Sequence, residues 1–141
     1  MIEATVAWTD HERFLGAATS GHALVIDAAS NKTSNKTSEK TANSPMELVL
    51  LGLCGCTASD VIGILRKKRQ PFAGLEVHAS AERSDDYPSV YTAIKLIYRV
   101  RGKVDPKAME DAVKLSKEKY CSVSAMLQKT ARITFEIEYV S

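Results

Sequence analysis

The stretch SPMELVLLGLCGCTASDVIGIL, residues 44–65, decides the fold, because it predicts one long helix that is apolar on nearly every side. Ser44 suits the N-cap, Pro45 suits the first helical position, and Glu47 follows Ser44 by three residues, as in a capping box. We expect this helix to continue to about residues 68 or 69, where a proline and a glycine follow in the sequence.

Such a helix would be roughly 35 Å long, which is comparable to the diameter of a compact chain of this size. A helix that is apolar on all sides requires burial on all sides. One subunit can hardly cover every face of it. We therefore expect a second copy of the chain to supply part of the cover, which makes the protein a homodimer.

The composition is that of an ordinary globular protein: 141 residues, 45% hydrophobic and 26% charged, with a net charge of +2. A chain of this length predicts a single domain, residues 1–141, with a substantial core. Basic and acidic residues are interleaved along most of the chain, so no large basic face is expected. Nucleic acid is therefore not predicted as a partner.

The expected location is the cytoplasm. The N-terminal sequence MIEATVAWTD lacks the basic start and apolar run of a signal peptide. The apolar run from Leu48 to Ala58 is stopped by Ser59 and Asp60, short of a membrane span, so no membrane partner is predicted. The cytoplasm keeps thiols reduced, and three cysteines there suggest chemistry or metal binding before structural disulfides.

The order of the remaining elements predicts an α+β fold. Alternating and β-branched runs indicate strands at 3–8, 22–28, 74–83, 90–102 and 133–140. Helical periodicity indicates two further helices, at 106–119 and 120–129. The polar segment 30–44, with its repeated NKTS, is expected to be a surface loop.

Two of the cysteines, Cys54 and Cys56, lie two positions apart on the predicted long helix. At about 3.6 residues per turn these positions are about 200° apart, so the side chains point to nearly opposite faces. They can neither form a disulfide with each other nor bind one metal ion without breaking the helix. The histidines, His11, His22 and His78, stand at no ligand spacing, so no metal site and no cofactor are predicted.

The third cysteine, Cys121, lies near the N-cap of the short helix predicted at 120–129. Backbone N–H groups at the start of a helix stabilise a thiolate, so we expect the pKa of Cys121 to be lowered. From the residues alone two interpretations stay open. Cys121 forms a redox pair with one of the helix cysteines, or all three cysteines are small buried apolar side chains.

The motifs SPMELVLLGLCGCTASDVIGIL and KYCSVSAML together resemble the OsmC/Ohr family of thiol-dependent peroxidases, in particular its YhfA-like branch. In that family an SP or NP start leads a buried central helix, and the first cysteine follows the proline by eleven residues, which is Cys56 here. The second family cysteine stands in a C-(P)-V-S motif, which residues 121–124 match. The resemblance covers the order of elements across nearly the whole chain.

The resemblance implies an intertwined homodimer in which antiparallel sheets wrap around a pair of long buried central helices. It also implies the reduction of organic hydroperoxides. Cys56 would be the peroxidatic cysteine, oxidised to a sulfenic acid, and Cys121 the resolving cysteine, which forms a disulfide that an external dithiol reduces. The Cα atoms of these two residues are then expected within about 7 Å of each other, with Cys54 pointing away.

The better-characterised peroxidases of this family carry a glutamate directly after the proline, paired with an arginine from the N-terminal region that activates the first cysteine. Here Met46 occupies that position and the acid is the next residue, Glu47, which already suits the capping box. Arg13 is the nearest candidate for the arginine. Arg13 and Glu47 are therefore the possible activating charges for Cys56.

A chain in which the cysteine lacks its activating pair suits a second class of function. We keep as the alternative a non-enzymatic dimer of the same fold that binds a small apolar ligand or senses redox state. Consumption of an alkyl hydroperoxide distinguishes the two classes.

Overall fold

The computed structural model describes residues 1–29 and 40–141, and these form two compact units, Met1–Val49 and Leu50–Ser141. Most of the segment predicted to be a polar surface loop, residues 30–39, lies outside the described residues. The predicted α+β class is confirmed, since each unit contains a three-stranded sheet and helices make up much of the second.

The first unit is an antiparallel meander of three strands: β1 (Ala4–Asp10), β2 (Arg13–Ala18) and β3 (Ala23–Asp27). The sequence patterns predicted β1 and β3 but not β2. The sequence of β2, RFLGAA, is short and lacks alternation, and a glycine in a strand weakens the pattern. In the turn before β2, His11 adopts a left-handed backbone conformation with a φ of 45°. The sequence has no Gly or Pro at this turn that would indicate it.

Asp27, at the end of β3, is 5% exposed and ties this unit together. Its carboxylate accepts hydrogen bonds from the N–H of Ala29 at 2.9 Å, and from the N–H and hydroxyl of Thr41 at 3.0 and 2.8 Å. These hydrogen bonds lower its pKa to about 2, the largest effect being the N–H of Thr41. Because these hydrogen bonds join residues before and after the segment 30–39, the Asp27 carboxylate stabilises the chain on both sides of it.

The long helix, α1 (Pro45–Lys67), begins at the predicted proline, and its capping box is confirmed. The N–H of Ser44 donates to Glu47 Oε1 at 3.0 Å, and the N–H of Glu47 donates to Ser44 Oγ at 3.2 Å. Within the single chain, α1 is buried along one stripe at four-residue spacing: Leu53, Thr57, Val61 and Leu65. Its other faces remain partly or fully exposed.

Among the described residues, α1 is also the one helix that is long and apolar enough, by length and composition, to cross a membrane. The expectation that Ser59 and Asp60 make this apolar run too short to cross a membrane is therefore wrong. The core helix of a soluble protein passes the same test. Thr57 and Asp60 form hydrogen bonds with side chains of other elements, which favours a helix packed in a protein core.

The second unit contains a sheet of order β4–β5–β6, with β4 (Phe72–Arg83) antiparallel to β5 (Tyr91–Gly102) and β6 (Arg132–Val140) parallel to β5. The strand bounds lie within two residues of those predicted. The parallel pairing of β6 departs from the expectation of antiparallel sheets. A parallel pair requires a crossover connection, and the helices between β5 and β6 supply it.

These connecting elements are α2 (Pro106–Leu115), a π-helical turn (Ser116–Tyr120) and α3 (Ser122–Leu127). The predicted helix 106–119 is thus correct in its first part and changes to a π-helical turn at Ser116. The core of the second unit combines the buried stripe of α1 with apolar residues of β5 and α2: Ile94, Leu96, Tyr98, Val100, Met109, Ala112 and Val113.

We expect Asp27→Asn to loosen the first unit, because the three hydrogen bonds use both carboxylate oxygens and an amide has one accepting oxygen, so the hydrogen bonds to the other position are lost. The folded-state pKa is lowered from 3.8 to about 2, so this stabilisation is present above about pH 4 and is lost as pH falls towards 2. Hydrogen exchange at the Ala29 and Thr41 amides measures it. The variant should have lower protection factors at pH 6, and the protection factors of wild type should fall in the same way on acidification.

The exposed carboxylate variant Glu3→Gln serves as the control and should leave both amides protected. Equal exchange in wild type and Asp27→Asn at pH 6 would contradict the assignment.

Candidate functional site

The site lies in the second unit, where Cys56, Asp60 and Cys121 meet. The two thiol sulfurs and a carboxylate oxygen all lie within 4.8 Å of one another. Cys56 and Asp60 are four residues apart on α1, so they share one face of the helix. Cys121 is the N-cap of α3 and is 2% exposed, whereas Cys56 and Asp60 are half-buried.

The π-helical turn determines where Cys121 lies. The N–H of Cys121 donates to the carbonyl oxygen of Ser116 at 2.8 Å, five residues back, which closes the wide turn. The sulfur of Cys121 in turn accepts a hydrogen bond from the N–H of Ser124 at 3.3 Å. The backbone on both sides of the cysteine is therefore held, and Ser116 and Cys121 are positioned by the same turn.

A chain of buried hydroxyl groups leads to Asp60. Ser116 Oγ donates to Asp60 Oδ2 at 2.9 Å, and Thr57 Oγ1 lies 2.8 Å from Ser116 Oγ and 2.7 Å from Tyr98 Oη. A hydroxyl carries one hydrogen, so Ser116, which donates to the carboxylate, must accept from Thr57. Thr57 must then accept from Tyr98. All three hydrogen bonds consequently point towards the carboxylate of Asp60.

Burial controls the protonation of these groups. It raises the pKa of the Tyr98 hydroxyl to about 12, which keeps Tyr98 a donor. It likewise raises the pKa of the Cys121 thiol to about 11, with smaller contributions in the same direction from Cys56 and Asp60. The expectation that the helix start lowers the pKa of Cys121 is wrong. The N–H of Ser124 does favour the thiolate, but desolvation outweighs it.

Cys54 does not belong to this group of three residues. It is half-buried, and burial raises the pKa of its thiol. The structure thus separates the two neighbouring cysteines of α1, and it brings Cys56 rather than Cys54 to Cys121. This proximity is an observation, whereas the peroxidatic and resolving roles stay predictions.

Arg13 and Glu47, the possible activating charges, both lie in the first unit and have local partners there. Arg13 forms an ion pair with Asp10 at 2.5 Å, and this carboxylate raises the pKa of the guanidinium. Glu47 accepts from Ser44 and from Lys40 Nζ at 3.2 Å, contacts that lower its pKa. These contacts neither support nor contradict an activating role for Arg13 or Glu47, so that role stays a prediction.

Several residues of the site were not predicted from the sequence: Asp60, Thr57, Tyr98 and Ser116. Their partners are distant in the chain, so spacing could not reveal them. One signal was available, namely that a polar TxxD sequence, residues 57–60, interrupts the apolar helix.

The three ligand-type side chains of the site are also compact enough to hold a metal ion. Within the described residues, Ser124 Oγ is buried without a hydrogen-bond partner.

The fold and the site define an α+β protein with a pair of neighbouring cysteines, one on a long apolar helix and one at the start of a short helix. The profile of the family described as "OsmC-like protein" matches residues 37–136. The chain belongs to this family. Protein YhfA of Escherichia coli K12 is 40% identical to it over 141 residues, which cover 99% of each chain.

Solved structures agree with this assignment. A hypothetical protein from Aquifex aeolicus VF5 is 31% identical, with a TM-score of 0.82 over 100% of this chain and 98% of the other. The organic hydroperoxide resistance protein OhrB of Bacillus subtilis superposes with a TM-score of 0.72, covering 98% of each chain at 13% identity. At this low identity, the similarity to OhrB is a similarity of fold alone.

We expect Thr57→Val to destabilise the protein by about 1–3 kcal/mol, because it removes the central hydroxyl of a buried chain and leaves the Tyr98 hydroxyl without its acceptor. Urea denaturation followed by circular dichroism measures the change. Thr57→Ser is the matched control, since it keeps the hydroxyl and loses one methyl group, worth about 0.8 kcal/mol. A valine variant at least as stable as the serine variant would exclude a stabilising role for the chain of hydroxyls.

Proposed function

We propose that the protein reduces organic hydroperoxides by a thiol-dependent mechanism in which Cys56 and Cys121 are the redox pair. One observation carries the proposal: the two sulfur atoms lie within 4.8 Å of each other across two separate elements. A disulfide requires sulfurs about 2.05 Å apart, so these two must approach each other by at most about 2.8 Å for the bond to form.

The chemistry balances in two steps. The Cys56 thiol ionises, its thiolate attacks the distal peroxide oxygen and the O–O bond breaks, so that Cys56 becomes a sulfenic acid and the leaving alkoxide takes up the proton given up by the thiol to become the alcohol. The Cys121 thiol then attacks this sulfur, the S–O bond breaks, and water leaves as the disulfide forms. An external dithiol restores both thiols by exchange and is itself oxidised to a disulfide. No cofactor is required.

The comparisons support the class of substrate. The chain belongs to the OsmC-like family, and the structural neighbour from Bacillus subtilis is named for resistance to organic hydroperoxides. The family match crosses the boundary between the two compact units, which supports one functional domain over residues 1–141. We assign the protein to oxidative-stress defence in the cytoplasm, the compartment in which a dithiol reductant keeps such a pair reduced.

Activation of Cys56 is the step that needs a cation. We propose Arg13 for this role and Glu47 as its acidic partner, following the family resemblance. Arg13 already forms an ion pair with Asp10, which orients the guanidinium. The N–H of Ser124 donates to the sulfur of Cys121, not to that of Cys56, so it does not supply the charge that this step needs.

We further propose that the active form is a homodimer. On α1, Leu51 is 54% exposed in the single chain although it lies in the middle of an apolar helix. The sheet of the first unit is apolar on both faces, with Val6 and Leu24 on one face and Leu15 and Val25 on the other, each about half exposed. Surfaces of this kind are normally covered by a partner, and a second copy covers both.

A redox-sensing role is the second candidate, and one observation favours it. With a pKa of about 11, the Cys121 thiol is largely protonated at neutral pH, which suits a pair that oxidises once and slowly rather than one that turns over. A single-turnover disulfide without catalysis would support this role.

We expect wild type to consume tert-butyl hydroperoxide continuously with dithiothreitol as reductant, and Cys56→Ser to lose on the order of 100-fold or more of this rate, because it lacks the nucleophile. Without dithiothreitol, Cys121→Ser should react once and accumulate a sulfenic acid that dimedone traps. Peroxide consumption and intact-mass spectrometry measure both results.

Cys54→Ser is the matched control, since it alters a helix cysteine outside the cluster, and it should retain the wild-type rate. If wild type consumes peroxide no faster than Cys56→Ser, the enzymatic function is excluded.

We expect Leu51→Glu to convert the dimer to monomers, because a carboxylate in an apolar interface is costly to desolvate. Light scattering coupled to size exclusion measures the mass. Lys103→Glu, which also changes charge at an exposed position of the second unit, should remain dimeric. A monomeric wild type, or a Leu51→Glu variant as dimeric as wild type, contradicts the proposed assembly.

A further inference from the structure

We propose that Cys56, Asp60 and Cys121 also form a binding site for one soft divalent metal ion of the zinc class per chain. The proposal does not depend on peroxidase activity. It departs from the sequence-based expectation of no metal site, which considered the CGC pair and the histidines but not Asp60.

The geometry of the three ligand atoms is close to what zinc requires. Sulfur ligands lie about 2.3 Å and oxygen ligands about 2.0–2.2 Å from the ion, so neighbouring ligands in a tetrahedral site are roughly 3.5–3.8 Å apart. Here all three atoms already lie within 4.8 Å of one another. Each pair therefore needs to close by at most about 1.3 Å to reach this range.

The backbone arrangement presents the ligands to a common point. Cys56 and Asp60 are at i and i+4 on α1, the spacing at which two helical side chains can bind the same ion. Cys121 comes from a different element, at the end of the π-helical turn. Two thiolates and a carboxylate form a ligand set that selects zinc-class ions over magnesium or calcium, which prefer oxygen ligands alone.

The surroundings hold these ligands in the manner of an outer coordination sphere. Ser116 donates to Asp60 Oδ2 at 2.9 Å, which fixes one carboxylate oxygen and leaves the other for an ion. The N–H of Ser124 donates to the sulfur of Cys121 at 3.3 Å, a contact that stabilises a thiolate. Thr57 and Tyr98 hold Ser116 in turn.

The electrostatics favour an ion as well. Two thiolates and a carboxylate, the ionised forms that bind a metal ion, would bring three negative charges within 4.8 Å of one another in a partly buried volume. A bound divalent cation supplies the compensating charge and displaces the thiol protons. Three protein ligands leave a fourth coordination position for water or a small anion.

The test uses the full chain, reduced and freed of metal by a chelator, and titrated with Co²⁺. Wild type should bind one equivalent and develop thiolate-to-cobalt charge-transfer absorption in the near ultraviolet together with the visible bands of tetrahedral cobalt, and Zn²⁺ should abolish both. Cys56→Ser and Cys121→Ser should lose the charge-transfer band in large part. Asp60→Asn should weaken binding by about tenfold or more.

Two controls separate this site from other effects. Cys54→Ser should bind Co²⁺ as wild type does, and circular dichroism should show that each variant is folded. In wild type, Zn²⁺ should slow alkylation of Cys56 and Cys121 by iodoacetamide and leave Cys54 unaffected, which tests the site without any substitution.

Absence of charge-transfer absorption in reduced wild type at saturating Co²⁺ would overturn the proposal. So would a band of wild-type intensity in Cys121→Ser, or a band that is lost in Cys54→Ser, since the ion would then lie elsewhere. Hydroperoxide reduction is measured separately on the metal-free protein. Cobalt binding without peroxidase activity would leave this site standing and remove the proposed function, and the reverse result would do the opposite.

Discussion

The hydrogen bond from the Ser116 hydroxyl to the Asp60 carboxylate joins the two elements on which the site depends. Asp60 lies one turn beyond Cys56 on α1, and Ser116 begins the π-helical turn that ends at Cys121. Because this hydrogen bond holds Asp60 and Ser116 together, it also fixes the separation of Cys56 and Cys121. Thr57 and Tyr98 extend the contact into the core, so the placement of the sulfurs depends on buried hydroxyls rather than on a covalent link.

The one-sided burial of α1 is the second constraint. Leu53, Val61 and Leu65 are inaccessible within the single chain, whereas Leu51 is exposed on the same apolar helix. An apolar helix covered along one stripe retains a large apolar surface, and burying such a surface is the main favourable contribution to association. The cysteine of the site lies beside the covered stripe, so an assembly that covers the remaining faces also determines how far solvent reaches Cys56.

Local signals predicted the local structure well, and distant contacts explain what they missed. The capping box of Ser44 and Glu47 located the start of α1 because both partners are within one turn. The resemblance, not spacing, selected Cys56 over Cys54. The sign of the pKa shift at Cys121 was wrong because the helix end is visible in sequence while desolvation by other elements is not. Asp60 was missed for the same reason, since Ser116 is far away in the chain.

The two proposed uses of the cysteines require cations of different kinds. Metal binding requires both thiols to lose their protons, whereas peroxide reduction requires a thiolate at Cys56. A metal ion displaces these protons by coordinating the sulfurs, and a sulfur bound to the ion is a weaker nucleophile towards a peroxide. A guanidinium stabilises the thiolate through hydrogen bonds and charge and leaves the sulfur free to react. Metal binding would therefore compete with peroxide reduction at this site, and the availability of the metal ion would determine how much of the protein reacts readily.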